Sequence, residues 1–128
     1  MELQIDVEQV QRRVSITVLH LSGWLNLGSA EAFEQAGRQA VQGGARYVLL
    51  DLKEVAAIRS AGLRSVQSLY KLLNPKDAAS TPDAAPQPSP YLKLVNASPD
   101  VYNVFEIAGF LRNIACYDDM EIALGSFG

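Results

Sequence analysis

Residues 47–66, YVLLDLKEVAAIRSAGLRSV, decide how this chain folds. Residues 47–52 are a continuous apolar run interrupted only by Asp51, which reads as a strand buried on both faces, the kind found in parallel sheets. A polar notch follows the apolar residues 55–58: Arg59, Ser60, Ala61 and Gly62. From Leu63 onward the spacing is helical, with Leu63, Val66, Leu69, Tyr70 and Leu73 on one stripe and a stop at Asn74-Pro75. A strand that turns straight into an amphipathic helix is half of a crossover unit, and it asks for parallel neighbours.

Working outward, the neighbours are there. Residues 14–21 (VSITVLHL) read as a buried strand with Gly23 closing it. Leu3, Ile5 and Val7 alternate before it, as in an edge strand returning through a turn near residues 11–13. Ser29 reads as the N-cap of a helix, with Glu31 in its first turn and Ala30, Phe33, Ala36, Gly37, Ala40 and Val41 on its inner face. Gly43-Gly44 ends that helix. Towards the C-terminus, residues 91–95 read as an interior strand. Ser98-Pro99-Asp100 is a helix start, followed by Val101, Val104, Phe105 and Ala108 and stopped by Gly109. Residues 111–116 read as a short last strand, and Asp118-Asp119 opens a final helix to about Leu124. The expected fold class is α/β, a mixed four- to five-stranded sheet with about four helices packed mainly on one face.

Residues 75–90 (PKDAASTPDAAPQPSP) hold five of the six prolines and no large apolar side chain. They read as a Pro/Ala-rich loop insertion within a single domain, because too little chain follows to build a second core. Lengthening such a loop costs little closure entropy.

Composition narrows the function. With 128 residues, 48% hydrophobic and 20% charged, the chain has the balance of a globular protein. Its net charge of −3, with Lys and Arg scattered, argues against nucleic acid as a partner. Residues 1–10 lack the basic start and apolar run of a secretory leader, and no run is long enough to insert in a membrane. The single cysteine, Cys116, allows no internal disulfide. A cytoplasmic location is expected.

Candidate chemistry is sparse. The one histidine, His20, lies inside a strand, and no G-x-S-x-G nucleophile elbow accompanies it. One Cys and one His cannot form a zinc set, and no phosphate-binding glycine loop is present. The reading is therefore no enzyme, no catalytic residue, no metal and no cofactor. What remains is Ser60, whose oxygen is expected to cap the helix starting at about Ala61. A phosphate on that oxygen would add roughly −1.5 to −2 charges at a helix start that tolerates them. Ala61 and Gly62 are small enough to let a partner approach the backbone.

Five motifs in register resemble one family. They are Leu19-His20-Leu21-Ser22-Gly23-Trp24-Leu25-Asn26, residues 47–52, Ile58-Arg59-Ser60-Ala61-Gly62-Leu63, Leu92-Lys93-Leu94 with Ser98-Pro99-Asp100-Val101, and Val104-Phe105-Glu106-Ile107-Ala108-Gly109-Phe110. The chain is similar in these to the STAS domains of anti-sigma factor antagonists over roughly residues 3–125. The resemblance implies a phosphoacceptor at Ser60 and, as partner, an anti-sigma factor that is also a serine kinase. Its unphosphorylated antagonist would bind the kinase and free a sigma factor; phosphorylation would abolish that binding. The implied partner face comprises Asn26, Arg59, Ser60, Ala61, Gly62, Leu63 and Arg64. Two acids usual in the family are Arg59 and Asn26 here, and Arg59 could pair with phosphoserine. Weak homodimerisation is left open. The alternatives are a non-switching STAS scaffold module of a signalling or lipid-transport complex and, as a third, nucleotide binding at the same loop.

Overall fold

The computed structural model describes residues 3–74 and 88–128. Within them the chain runs β1 (Gln4–Gln11), β2 (Ser15–Leu25), α1 (Leu27–Gln42), β3 (Tyr47–Ile58), α2 (Ser60–Leu73) and β4 (Leu92–Val95). Then follow α3 (Pro99–Ile107), a 3-10 turn (Phe110–Arg112), β5 (Ala115–Tyr117) and α4 (Met120–Gly125). The sheet keeps chain order, β1-β2-β3-β4-β5. β1 pairs antiparallel with β2, and every other pair is parallel. The mixed α/β sheet expected from the alternating strand and helix patterns is the one observed, with five strands.

The two faces of the sheet carry different cores. Leu19, Leu21, Leu50, Leu52, Leu92 and Leu94 point to one face, where Phe33 of α1, Val66 and Leu69 of α2, and Val101 and Phe105 of α3 meet them. Ile16, Val18, Leu49 and Val95 point to the other, under Ala123 and Leu124 of α4 and the following Phe127. Three helices thus cover one face and one short helix part of the other. This explains the apolar run at residues 47–52, broken only by Asp51: β3 lies between neighbours and is covered on both sides, so it shows no regular polar alternation there.

Three boundaries differ from expectation. Gly23 does not close β2; it lets the strand continue. At φ +111° it takes a conformation costly for other residues, and the register against β3 shifts between Gly23 and Trp24. A second shift lies between His20 and Ser22, so β3 uses residues 51–58 to cover what β2 covers in 20–25. Consequently β3 reaches Ile58 instead of stopping near Leu52. Residues 111–116 are not one strand. Gly109, at φ +80°, ends α3, the chain turns through Phe110–Arg112, and only Ala115–Tyr117 pairs with β4. The half-buried Leu111 and buried Ile114 are three residues apart, a turn's spacing and not a strand's.

Most of the Pro/Ala-rich stretch, residues 75–87, lies outside the described residues. On either side of it, Ser89 Oγ donates to Asn74 Oδ1 at 2.8 Å, while Ser89 N donates to the Asn113 carbonyl at 2.7 Å. No helix among the described residues is long and apolar enough to cross a membrane.

Candidate functional site

β2 and β3 end side by side, with Leu25 opposite Ile58, and each passes into a helix within one residue. The two residues that make those turns, Asn26 and Arg59, therefore flank each other at the carboxyl edge of the sheet. Parallel βα units commonly place their functional groups at this edge, because the strands deliver adjacent helix starts to one surface. The edge is held tightly. Arg59 N donates to the Leu25 carbonyl at 2.9 Å, and Ser65 Oγ donates back to the Gly62 carbonyl at 2.6 Å within the first turns of α2.

Each member of the expected face has a definite place in it. Asn26 is the N-cap of α1: its Oδ1 accepts from Gly28 N at 3.1 Å, and its own N donates to Ser29 Oγ at 3.0 Å. Ser29 is thus not the cap but the third helical residue closing the capping box, and its hydroxyl donates to the Trp24 carbonyl at 2.7 Å. Nor does Ser60 cap α2. The N-cap is Arg59, in extended conformation at φ −122° and ψ 176°, with no side-chain cap bond. Ser60 is the first helical residue, one position past the one whose side-chain oxygen accepts from the amides of the first turn. Its side chain is exposed, and its hydroxyl makes no hydrogen bond among the described residues.

Gly62 is small for an internal reason. It is buried, and a Cβ there would collide with the Leu25 carbonyl oxygen and stand 2.8 Å from Leu25 Cγ. Ala61 is half-buried, and Leu63, also half-buried, packs against the main core. Of the seven residues, then, Arg59, Ser60 and Arg64 present exposed side chains. Sequence reasoning missed two others. Leu27, the first residue of α1, is 81% exposed, and Trp24 is 36% exposed. The available signal was that Leu27 falls off the apolar stripe of α1, which begins at Ala30.

The edge is aromatic and basic. The Arg59 guanidinium lies over the Trp24 ring, 5.7 Å from its centroid. No carboxylate among the described residues forms an ion pair with Arg59 or Arg64. His20 is turned to other work: Nδ1 lies 2.7 Å from Asp51 Oδ2 and Nε2 lies 2.8 Å from Glu8 Oε1. Partial burial opposes the charge on this ring, but its hydrogen bonds to Glu8 and Asp51 and the attraction of their charges outweigh it, so its pKa is raised above 6.5. With both ring nitrogens occupied, His20 is not a free base for a serine. Burial pushes the Cys116 thiol up, which makes it a poorer nucleophile. Among the described residues no cluster of His, Cys, Asp or Glu could hold a metal ion. A concavity of about 570 Å³ does exist, but it lies where α1 ends, lined by Val7, Thr17, Gly43 and Tyr47.

A five-stranded mixed sheet with paired helix starts at its carboxyl edge makes this a small α/β fold. The chain belongs to the STAS domain family, whose pattern it matches over residues 7–80. It is 35% identical over 107 residues to Bordetella bronchiseptica BtrV, named as a candidate anti-sigma factor antagonist, covering 84% of this chain and 82% of that one. The fold also matches solved structures. An anti-sigma factor antagonist from Mycobacterium paratuberculosis superposes with a TM-score of 0.75 at 20% identity, over 95% of this chain and 91% of that one. The Bacillus protein SpoIIAA in its phosphorylated form superposes at 0.63 and 20%, over 94% of this chain and 96% of that one.

Proposed function

We propose that this protein is an anti-sigma factor antagonist, a non-catalytic regulator that binds an anti-sigma factor serine kinase and is released by phosphorylation of Ser60. The observation that carries the reading is the state of Ser60 itself. Its hydroxyl stands exposed at the first residue of α2, unbonded, on an edge whose backbone is fixed by Leu25 and Gly62. A kinase needs an accessible acceptor oxygen on a defined backbone, and here no cap must be broken to supply one. The family of the chain, its likeness to BtrV and the phosphorylated state in which SpoIIAA is known support the same reading. In the transfer, a bond forms between Ser60 Oγ and the γ-phosphorus of ATP as the bond to ADP breaks. The hydroxyl proton passes to a base on the kinase, since none of the described residues offers one there.

The test is phosphate mapping. Incubated with its kinase and ATP, the protein should gain one phosphate on the peptide that holds Ser60, and Ser60→Ala should gain none. Equal uptake by Ser60→Ala would place the acceptor elsewhere. A non-switching scaffold would take up no phosphate at all.

A further inference from the structure

We infer that Arg59 is the sensor of the phosphate on Ser60, exchanging the ring of Trp24 for the phosphate oxygens and so taking apart the aromatic-basic face a partner reads. The inference rests on the proposed phosphorylation of Ser60 and adds what the phosphate does. Arg59 immediately precedes Ser60, and its guanidinium, with no carboxylate partner among the described residues, lies on the Trp24 ring at 5.7 Å. A cation resting on a part-exposed ring is held weakly, whereas guanidinium–phosphate pairs are charge-assisted and often bidentate. A phosphate introduced on the neighbouring side chain therefore competes on favourable terms. Arg64 lies four residues beyond Ser60 on the same helix face, is exposed and has no ion pair among the described residues, so it can close on the phosphate from the other side.

The exchange changes the face in two ways together. Before phosphorylation the edge offers two unpaired guanidinium groups beside Trp24 and the 81% exposed Leu27, a surface suited to a partner carrying carboxylates around an apolar contact. Afterwards both cations are engaged with the phosphate, Trp24 has lost its cover, and the positive charge of the edge is cancelled. An acidic partner then loses the attraction that held it.

Trp24 is the only tryptophan of the chain, so its fluorescence reports the exchange directly. Phosphoserine is installed at position 60 during translation, so that no kinase is needed and the outcome does not depend on whether Ser60 is the natural acceptor. Relative to the unmodified protein, phosphorylated protein should show a shift in Trp24 emission and stronger acrylamide quenching, and Arg59→Ala should abolish both differences. By phosphorus NMR the second phosphate pKa, ordinarily about 6, should fall in the phosphorylated protein and return towards 6 with Arg59→Ala. Unchanged Trp24 emission and quenching on phosphorylation would overturn the inference, as would a phosphate pKa that responds to Arg64→Ala but not to Arg59→Ala. Failure of kinase transfer to Ser60, tested separately, would sink the phosphorylation reading and leave this measurement standing.

Discussion

The first turn of α2 rests on the end of β2, with Gly62 packed directly against the carbonyl of Leu25. That contact fixes where the helix starts, and hence where Ser60 stands relative to the strand edge. Gly62→Ala puts a methyl group into a backbone oxygen, which cannot rotate away as a side chain would. The expected cost is about 1–3 kcal/mol, the range for overpacking, read as a lower denaturation midpoint with an unchanged slope. Gly125→Ala is the control: nothing lies within 4 Å of a Cβ there, and its effect should stay within about 0.5 kcal/mol.

Asn26 serves α1 as a cap, whatever else touches it. Asn26→Ala removes the acceptor for Gly28 N and should cost about 1 kcal/mol in unfolding free energy. Ser29→Ala opens the same capping box from its other side. The double variant should therefore lose less than the two single losses added together, because both act on one motif. Full additivity in denaturant titrations would mean the box does not act as a unit.

The capping assignments also show where sequence reading ran out. The order of strands and helices was legible because apolar periodicity differs between β3, hidden on both faces, and α2, hidden along one stripe. The helix ends were not. Asn26 and Ser29 are both good caps, three residues apart, and only the bonds to Gly28 N and from Asn26 N tell which is outside and which inside the helix. Gly23 reads as a stop, yet the sheet uses its positive φ to carry β2 past a register shift. At the strand edge, the exposed, polar notch at residues 59–60 was legible from its sequence, although the capping role expected of Ser60 was not what the structure shows. The exposure of Trp24 and Leu27 was not legible, because apolar residues beside a strand end resemble core until the packing is known.

His20 bridges Glu8 on β1 and Asp51 on β3. Its pKa is raised in the folded protein, so its contribution to stability is fully present below about 6.5, the unfolded value, and is lost as pH rises through the folded pKa. As the only histidine, it gives one imidazole Hε1 resonance in a proton NMR titration. That resonance should titrate with a midpoint above 6.5, and His20→Gln should flatten the fall in stability between slightly acid and slightly alkaline pH. A midpoint below 6.5 would show that burial outweighs the two carboxylates.

Phe127 follows α4 yet is fully buried, edge-on to Tyr47 and under the ammonium of Lys93, whose Nζ is 4.7 Å from its ring centroid. Lys93 Nζ also donates to the carbonyl and hydroxyl of Ser126 at 3.0 and 2.9 Å. Phe127→Ala should cost about 3–5 kcal/mol, as for a buried aromatic elsewhere, and should expose the second face of the sheet to hydrogen exchange at β4. Protection there equal to wild type would contradict the role given to this residue.

The central claim, that a phosphate on Ser60 releases a bound kinase, is tested most directly by calorimetric titration of the kinase with unmodified and Ser60-phosphorylated protein. The account predicts that unmodified protein binds and that phosphorylation weakens the affinity by at least about tenfold, equivalent to about 1.4 kcal/mol. Equal dissociation constants for the two forms would contradict it.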